Sequence, residues 1–225
     1  MPRSAGLPRR PQLADEVAAH LRNLIMSGEA RPGEYLRLDQ VAAELGVSVT
    51  PVREALAALR GEDMVELEPH RGFVVAPLSE VDVADMFELQ AGLATTLLGR
   101  AAANLSAGDL DELERLNDEL ADAANVPDPA ELERLEYDFH RAINRAAHSR
   151  KLSWFLRNAT VYLPRPFYSS DPEWRELTVA SHRKILRALR KGDVATGGVE
   201  MHRHVTESGA RLIAHLEKTG LWREE

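Results

Sequence analysis

The spacing of apolar residues changes twice along this chain, and this change constrains the fold more than any other feature. Before residue 64, leucine, valine and isoleucine recur every three to four residues, which is typical of amphipathic helices. Two short runs at 64–68 and 73–75 alternate instead with a period of two, and a turn at 69–72 separates them. From Ser79 onward only the helical period is found. The pattern predicts three helices and a hairpin, followed by an all-helical region.

Glycines and capping residues set the limits of the three helices before the hairpin. The first predicted helix ends at Gly28, and Gly46 breaks the second. The inner face of the second helix carries Leu38, Val41, Ala42 and Leu45. Ser48 or Thr50 is placed to cap the third helix, and Pro51 falls in its first turn, where a missing N–H costs nothing. Three short helices and a hairpin are the plan of a small winged helix.

These patterns divide the chain into three segments. We expect residues 1–11 to be a disordered arm, residues 12–78 a winged helix-turn-helix, and residues 79–220 an all-α antiparallel helical bundle. The bundle helices are predicted at 79–104, 106–125, 128–148, 149–163, 172–191 and 193–218. Their predicted caps are Ser79 with Asp82, Ser106 with Asp109, Asp128 before Pro129, and Asp171 before Pro172. The predicted fold class is therefore mainly α.

Composition excludes several classes of protein. The chain has no cysteine, so disulfides, thiol catalysis and cysteine-based metal sites are excluded. No apolar run approaches the roughly 18 residues that span a bilayer, and the N-terminal arginines precede no secretory apolar core. We therefore expect a cytoplasmic protein without a membrane partner. The net charge is −8, and the regions before and after residue 79 are both acidic, so a DNA-binding surface must be a local basic patch.

The segment from Gly46 to Leu56 has the pattern of a helix-turn-helix. A glycine turn joins two short helices, which places the start of the second one in a major groove of DNA. The hydroxyls of Ser48 and Thr50 suit phosphate oxygens. Arg53, one turn further, suits guanine or phosphate, and Arg71 at the hairpin tip suits the minor groove. The alternative is that both arginines are ordinary solvated side chains.

Four residues of the helical region have the spacing of a divalent-metal site. Glu136 and His140 lie at i and i+4 on one helix face, whereas His182 and His204 lie on two later helices. Three imidazoles and a carboxylate that point into a bundle suit zinc, nickel or a similar ion. The alternative is that these histidines are unrelated core or surface residues.

The stretch LGVSVTPVREALAALRGEDMVE, followed by PHRGFVV, resembles the DNA-binding domain of GntR-family repressors. The resemblance covers roughly residues 12–78. It implies that four side chains contact DNA and that Gly72 shapes the wing. The four side chains are Ser48, Thr50, Arg53 and Arg71. Two positions depart from the family pattern: Val49 replaces an arginine, which removes one DNA contact, and Asp63 replaces a common glycine before the wing.

The stretches LEYDFHRAINRAAHS and SHRKILRALRKGDVATGGVEMHRHV resemble the helical ligand-binding domain called FCD. This resemblance implies a divalent metal, most often zinc or nickel, bound by Glu136, His140, His182 and His204. The family usually has aspartate at the position of Glu136. Asp138 and His202 are each two residues from a predicted ligand and should face elsewhere, and His148 is expected at the surface.

The segment FELQAGLATTLLGRAAA resembles the first FCD helix but lacks two charged residues of the family. In metal-binding members, the metal and a nearby arginine hold the carboxylate of a small organic acid. Gln90 stands at the arginine position and Ala94 at a glutamate position, so the bidentate donor for a carboxylate is missing. Either another cation substitutes for it, or the effector is larger and less acidic, or the chain senses no carboxylate. Gln90 could contribute a neutral hydrogen bond to an effector, or it could lie at a solvated helix edge.

These features together predict a ligand-responsive repressor rather than an enzyme. We expect a homodimer that binds a palindromic operator in double-stranded DNA and responds to a small-molecule effector, with an organic acid as the expected class. A metal-dependent, hydrolase-like enzyme is one alternative, but no HExxH motif or other general base accompanies the predicted ligands. A regulator with a purely structural metal is the other.

Overall fold

The computed structural model describes residues 11–125 and 128–222, which divide into two compact units between Leu78 and Ser79. The predicted arm, residues 1–11, lies outside the described residues except for Pro11, which begins the first helix. Within the described residues the fold is mainly helical with one small sheet, as the sequence predicts.

The N-terminal unit consists of three helices and a three-stranded sheet. The elements are α1 (Pro11–Met26), β1 (Tyr35–Leu36), α2 (Leu38–Leu45), α3 (Val49–Gly61), β2 (Val65–Glu68) and β3 (Gly72–Val75). The strands are antiparallel and their order is β1-β3-β2. The hairpin β2–β3 is the predicted wing. Strand β1 was not predicted, because two residues are too short to show a period, and it exists only by pairing with β3.

The core of this unit lies between α1, α3 and the sheet. Val52, Leu56 and Leu59 on one face of α3 are fully buried, and complete burial of such side chains contributes about 1.5–3 kcal/mol each. Arg22 of α1 donates two hydrogen bonds to the carboxylate of Glu62 at the end of α3, at 2.9 and 2.7 Å. This largely buried ion pair fixes the first helix against the third.

The C-terminal unit consists of seven α-helices and one 3-10 turn within the described residues. They are α4 (Glu80–Ala101), α5 (Ala107–Asn125), α6 (Pro129–Ala146), α7 (Arg150–Ala159), the turn Thr160–Tyr162, α8 (Arg165–Ser170), α9 (Pro172–Arg190) and α10 (Val194–Lys218). Ser79 and Asp82 form a complete capping box at α4. Asp128 and Asp171 accept hydrogen bonds from the first turns of α6 and α9. Local hydrogen bonds therefore start these helices where the sequence predicts.

Two details of this unit differ from the prediction. The helix predicted at 149–163 ends as an α-helix at Ala159 and tightens into the 3-10 turn. The segment between the helices predicted at 149–163 and 172–191, where no helix was predicted, contains the short helix α8, which begins after Pro164 and carries Pro166 in its first turn. Proline is compatible with that position because its missing N–H has no helical acceptor there.

Two apolar clusters form the core of the C-terminal unit, and the larger one joins α4, α6, α9 and α10. Leu97 and Leu98 of α4 pack with Phe139 of α6, Ile185 of α9 and Met201 of α10, and all five are at most 1% exposed. Phe139, Ile185 and Met201 bring α6, α9 and α10 into this shared core, which matters for the site below. None of the described helices combines the length and hydropathy that a bilayer-crossing helix requires.

Candidate functional site

The turn between α2 and α3 has the backbone geometry of a helix-turn-helix. Gly46 adopts a left-handed conformation with φ of 66° and ends α2 with hydrogen bonds to the carbonyls of Ala42 and Ala43. Ser48 is the N-cap residue of α3 with extended backbone, but its side chain makes no capping hydrogen bond. The exposed Ser48 hydroxyl and the first N–H groups of α3 are therefore able to bond an external acceptor.

The two faces of α3 differ sharply in burial. Val52 and Leu56 are buried in the core, whereas Thr50 and Arg53 are exposed on the opposite face. The predicted DNA-contacting side chains thus share one solvent-facing surface at the start of α3. Val49, at the position where the family has arginine, is half-buried.

The wing holds its arginine through a hydrogen-bond chain that sequence reasoning missed. Arg71 Nη1 donates to the hydroxyl of Tyr35 at 3.3 Å, and that hydroxyl donates to Glu68 Oε2 at 2.7 Å. Arg71 Nη1 also lies 3.6 Å from Glu68 Oε2, yet its side chain is 72% exposed. The hydrogen bond to Tyr35 raises the pKa of Arg71, so the guanidinium stays charged. Because Tyr35 belongs to the unpredicted strand β1, no local pattern pointed to it.

Two turns around the wing use left-handed backbone. Gly72 has a φ of 105° and His70 a φ of 68°, so the hairpin needs a glycine where the second strand begins. Asp63, just before β2, has a φ of 60°. Glycine is favoured in this conformation and aspartate tolerates it, which explains why Asp63 can replace the common glycine of the family.

The structure brings the four predicted metal ligands together in the C-terminal unit. Glu136 and His140 lie on α6, His182 on α9 and His204 on α10, and one ligand atom from each falls within 4.8 Å of all the others. The Nε2 atom of His140 is 3.1 Å from both Glu136 Oε1 and His204 Nε2. His182 Nε2 lies 3.4 Å from Glu136 Oε2. Three imidazole nitrogens and a carboxylate therefore converge on one point.

Neighbouring side chains orient the buried imidazole of His182. Its Nδ1 atom lies 3.2 Å from Asn117 Oδ1, and the amide of Asn117 donates in turn to the carbonyl of Val179. The amide oxygen only accepts, so Nδ1 carries the proton and Nε2 presents a lone pair to the cluster. The ring of Phe139 stacks on the imidazole with a centroid separation of 3.7 Å. Sequence reasoning did not find Asn117.

Two buried atoms of this cluster fit a cation between them. Among the described residues, Glu136 Oε2 and His182 Nε2 are buried without a hydrogen-bond partner. Buried polar atoms are normally satisfied, so a pair of unsatisfied acceptors that face each other indicates a missing positive group. A set of three nitrogens and one carboxylate oxygen matches the ligand preference of zinc and nickel.

Burial and neighbouring side chains shift the pKa of two groups in the cluster. Burial alone would raise the pKa of Glu136, but the imidazoles of His182 and His140, with hydrogen bonds from His140 and His204, hold that pKa well below its usual value. Burial lowers the pKa of His182 well below its usual value, although Glu136 opposes the shift. The carboxylate is therefore ionised and the His182 imidazole neutral, which are the forms that bind metals.

The neighbouring candidates lie outside the cluster. Asp138 pairs with Arg134 at 2.9 Å. His202 is half-buried and forms a 2.8 Å contact with Glu88, so it is not purely solvent-facing. His148 is exposed, as predicted.

The cluster opens onto a cavity of about 930 Å³ within the C-terminal unit. Three of the four cluster residues line it, as do Gln90 and Ala94 of α4. Gln90 is 2% exposed, so it does not lie at a solvated helix edge. Short helix α8 also contributes, through Tyr168 and Ser169. The cavity size suits a small organic molecule.

Two family models match the chain, one in each unit. The model described as bacterial regulatory proteins, gntR family, matches residues 13–75, and the model of the FCD domain matches residues 85–207. A winged helix followed by a helical domain with an internal cavity defines the class of protein: a DNA-binding transcription regulator. The chain belongs to the GntR family of regulators, in the group that carries an FCD domain, and it is not an enzyme.

Individual relatives agree with this assignment. An uncharacterized HTH-type transcriptional regulator of Mycobacterium tuberculosis is 27% identical over 84% of this chain and 78% of its own length. A probable D-xylose utilization operon transcriptional repressor of Paenarthrobacter nicotinovorans is 29% identical over 87% of each chain. Among solved structures, McbR/YncC of Escherichia coli is similar in fold, with a TM-score of 0.65 at 24% identity over 92% of this chain and 98% of that one.

Proposed function

We propose that this regulator is a ligand-responsive repressor that binds a palindromic operator as a homodimer, and that its helical domain binds a divalent metal and a small organic acid. In this proposal residues 12–78 bind DNA, and residues 79–220 hold the metal and effector and form the dimer. The observation that carries the proposal is the cluster of four ligands with two unsatisfied buried atoms at the edge of the cavity. Binding of bacterial DNA implies a cytoplasmic location.

The exposed face of α3 and the wing supply the proposed DNA contacts. Ser48 and Thr50 would bond phosphate oxygens, and Arg53 would reach a base edge or phosphate. The 72% exposed Arg71 would reach the adjacent groove, with Gly72 shaping the wing that presents it. These contacts are local, which reconciles DNA binding with the net charge of −8.

Glu136, His140, His182 and His204 would hold the metal. When bound, zinc or nickel supplies a Lewis-acidic position to which an oxygen of an anionic ligand binds. His182 is held by Asn117 with its lone pair toward the cluster, and it is completely buried, so it acts as a fixed ligand. Glu136 and His140 are partly exposed and line the cavity, so they face an incoming effector.

For regulation, the protein must have one conformation with high affinity for DNA and another with low affinity. The effector must bind one of these two conformations more tightly than the other. Gln90 is the α4 side chain placed to donate a neutral hydrogen bond to it, since it lines the same cavity as the cluster. A structural metal is the second candidate role, because the four ligands link three helices and two of them are buried.

DNA binding is tested by selection of genomic fragments, followed by titration at several salt concentrations. We expect selective, salt-sensitive binding that Arg53→Ala reduces by roughly ten- to hundredfold, corresponding to about 1–3 kcal/mol. Arg183→Ala removes an equally exposed arginine of α9 and is expected to leave binding unchanged. Equal binding by both variants would refute the assignment of Arg53.

Metal binding is tested by elemental analysis and chelator competition. We expect close to one zinc or nickel ion per chain, lost in His140→Ala and retained in His202→Ala, which removes a histidine outside the cluster. If metal removal lowers the melting temperature but acids that bind the cavity bind equally well without metal, the metal is structural. If both histidine variants keep the ion, the metal lies elsewhere.

A further inference from the structure

The lining of the cavity contains more cationic than acidic side chains. Six cationic side chains line it: Arg141, Arg145, Arg150, Lys151, Arg157 and Arg165. The carboxylates in the described lining are Glu133 and Glu136, and Glu136 already belongs to the metal cluster. This excess of positive charge stands out in a chain whose net charge is −8. A cavity of this charge favours an anionic occupant.

Helices α6 and α7 arrange part of this charge as a continuous surface. Arg145 lies in the last turn of α6, and Arg150 begins α7 four residues after that helix ends. Arg150, Trp154 and Arg157 are spaced i, i+4 and i+7, which places them on one face of α7, and all three line the cavity. Trp154 is 48% exposed, so part of its ring is free to pack against a ligand.

These arginines are not neutralised by the protein. Within residues 11–125 and 128–222, Arg145, Arg150 and Arg157 form no ion pair with a carboxylate. By contrast, Arg115 and Arg190 of the same unit each contact two acidic side chains. Arginines that are close to a cavity and lack carboxylate partners keep their bidentate donors available for a ligand.

The α4 side chains that line the cavity are uncharged. On α4 the cavity is lined by Phe87, Gln90 and Ala94. An anionic group that does not reach the metal therefore finds no guanidinium on α4, and its partners are on α6 and α7. The cavity thus has two positions for negative charge, the metal cluster and the arginine surface formed by Arg145, Arg150 and Arg157.

We infer that the effector is an organic acid with two anionic groups. One group binds at the metal cluster, and the second, a carboxylate or a phosphate, binds to Arg145, Arg150 and Arg157. The body of the acid packs against Trp154. This inference rests on the proposed effector site and specifies the class of molecule that the site accepts.

The first test uses inorganic sulfate, a doubly charged anion that probes the arginine surface without an identified effector. Melting temperatures of the full chain are compared in sodium sulfate and in sodium chloride of equal ionic strength. We expect sulfate to stabilise the wild type and a control variant, Arg183→Gln/Arg187→Gln, which removes two exposed arginines of α9 outside the cavity. We expect a smaller stabilisation in Arg150→Gln/Arg157→Gln, because sulfate also stabilises folded proteins generally through exclusion from their surface and only the site-specific part is lost. An equal response of all three proteins would overturn the inference.

The second test uses matched acids and identifies the second group. Calorimetric titrations compare heptanoate with heptanedioate, and gluconate with 6-phosphogluconate. We expect the member with two anionic groups in at least one pair to bind wild type roughly tenfold or more tightly, as expected for charge-assisted hydrogen bonds. That advantage should persist in the α9 control and vanish in Arg150→Gln/Arg157→Gln. Equal affinities within both pairs, or an advantage that survives in this variant, would overturn the inference.

Metal content separates this inference from the proposed function. All three proteins should contain the same amount of zinc, because the substitutions do not alter the four ligands. If the wild type binds no zinc but is still stabilised by sulfate through Arg150 and Arg157, the proposed metal centre is refuted and the proposed arginine site is not.

Discussion

Gly209 on α10 is the described glycine at which an added methyl group meets the closest contacts, so we expect a substitution there to destabilise the fold. A Cβ atom there would lie 2.6 Å from Cγ, 2.8 Å from Cβ and 3.0 Å from Cδ2 of Phe87. Rotation of the Phe87 ring cannot relieve a contact with its own Cβ, since that atom is fixed to the backbone of α4. The Gly209→Ala substitution therefore forces α4 and α10 apart, or moves Phe87 as a whole.

The magnitude follows from two opposing effects. Overpacking a close contact lowers the free energy of unfolding by about 1–3 kcal/mol. Replacing glycine by alanine inside a helix raises it by about 1 kcal/mol, because alanine has the higher helix propensity. The expected net loss is up to about 2 kcal/mol in the free energy of unfolding, which corresponds to at most roughly 8 °C in melting temperature. Gly92 on α4 is the matched control, because a Cβ there meets nothing within 4 Å.

Urea denaturation and calorimetry of both variants test this reasoning. We expect Gly209→Ala to be less stable than wild type and Gly92→Ala to be equally or more stable. Because Phe87 lines the cavity, Gly209→Ala should also weaken effector binding. A Gly209→Ala protein as stable as Gly92→Ala would show that the α4–α10 contact yields easily, and the steric argument would be wrong.

Three further predictions concern polar contacts. Arg22→Met leaves the Glu62 carboxylate without two charge-assisted hydrogen bonds and should lower stability by about 1–3 kcal/mol; an unchanged urea midpoint would contradict this. Asn117→Ala removes the group that orients the His182 imidazole and should weaken zinc binding about 10–100-fold in chelator competition, while circular dichroism shows an intact fold; unchanged zinc affinity would refute its positioning role. Tyr35→Phe releases the Arg71 side chain and should reduce operator affinity roughly two- to fivefold in a gel-shift titration, so equal affinity would mean that the hydroxyl does not position Arg71.

Local features of the sequence were sufficient to predict most of the helices. Each cap acts over three residues or fewer, so Ser79 with Asp82, Asp128 and Asp171 can be recognised without tertiary structure. The change of apolar period located the hairpin of the wing for the same reason. Short elements were missed where the period is too brief to detect: β1 has two residues and α8 has six.

The candidate site shows the same division between local and long-range information. The pairing of Glu136 with His140 is a helical i, i+4 relation that the sequence determines by itself. The approach of His204 to His140, 64 residues away, depends on how α10 packs against α6. The sequence supplies the histidine, but the shared core of α6, α9 and α10 decides which of the later histidines joins the cluster and which, like His202, contacts Glu88 instead.

The sequence alone therefore determined the class of fold, the order of the helices and wing, and the residue types able to bind DNA or metal. Only the tertiary structure decided that Asn117 orients His182, that Tyr35 holds Arg71, and that Gln90 is buried in the wall of a cavity. The physical reason is the separation along the chain over which each interaction acts. Helical periodicity and capping act between residues a few positions apart, whereas these contacts join residues 36 and 65 positions apart along the chain, or depend on a cavity enclosed by several helices.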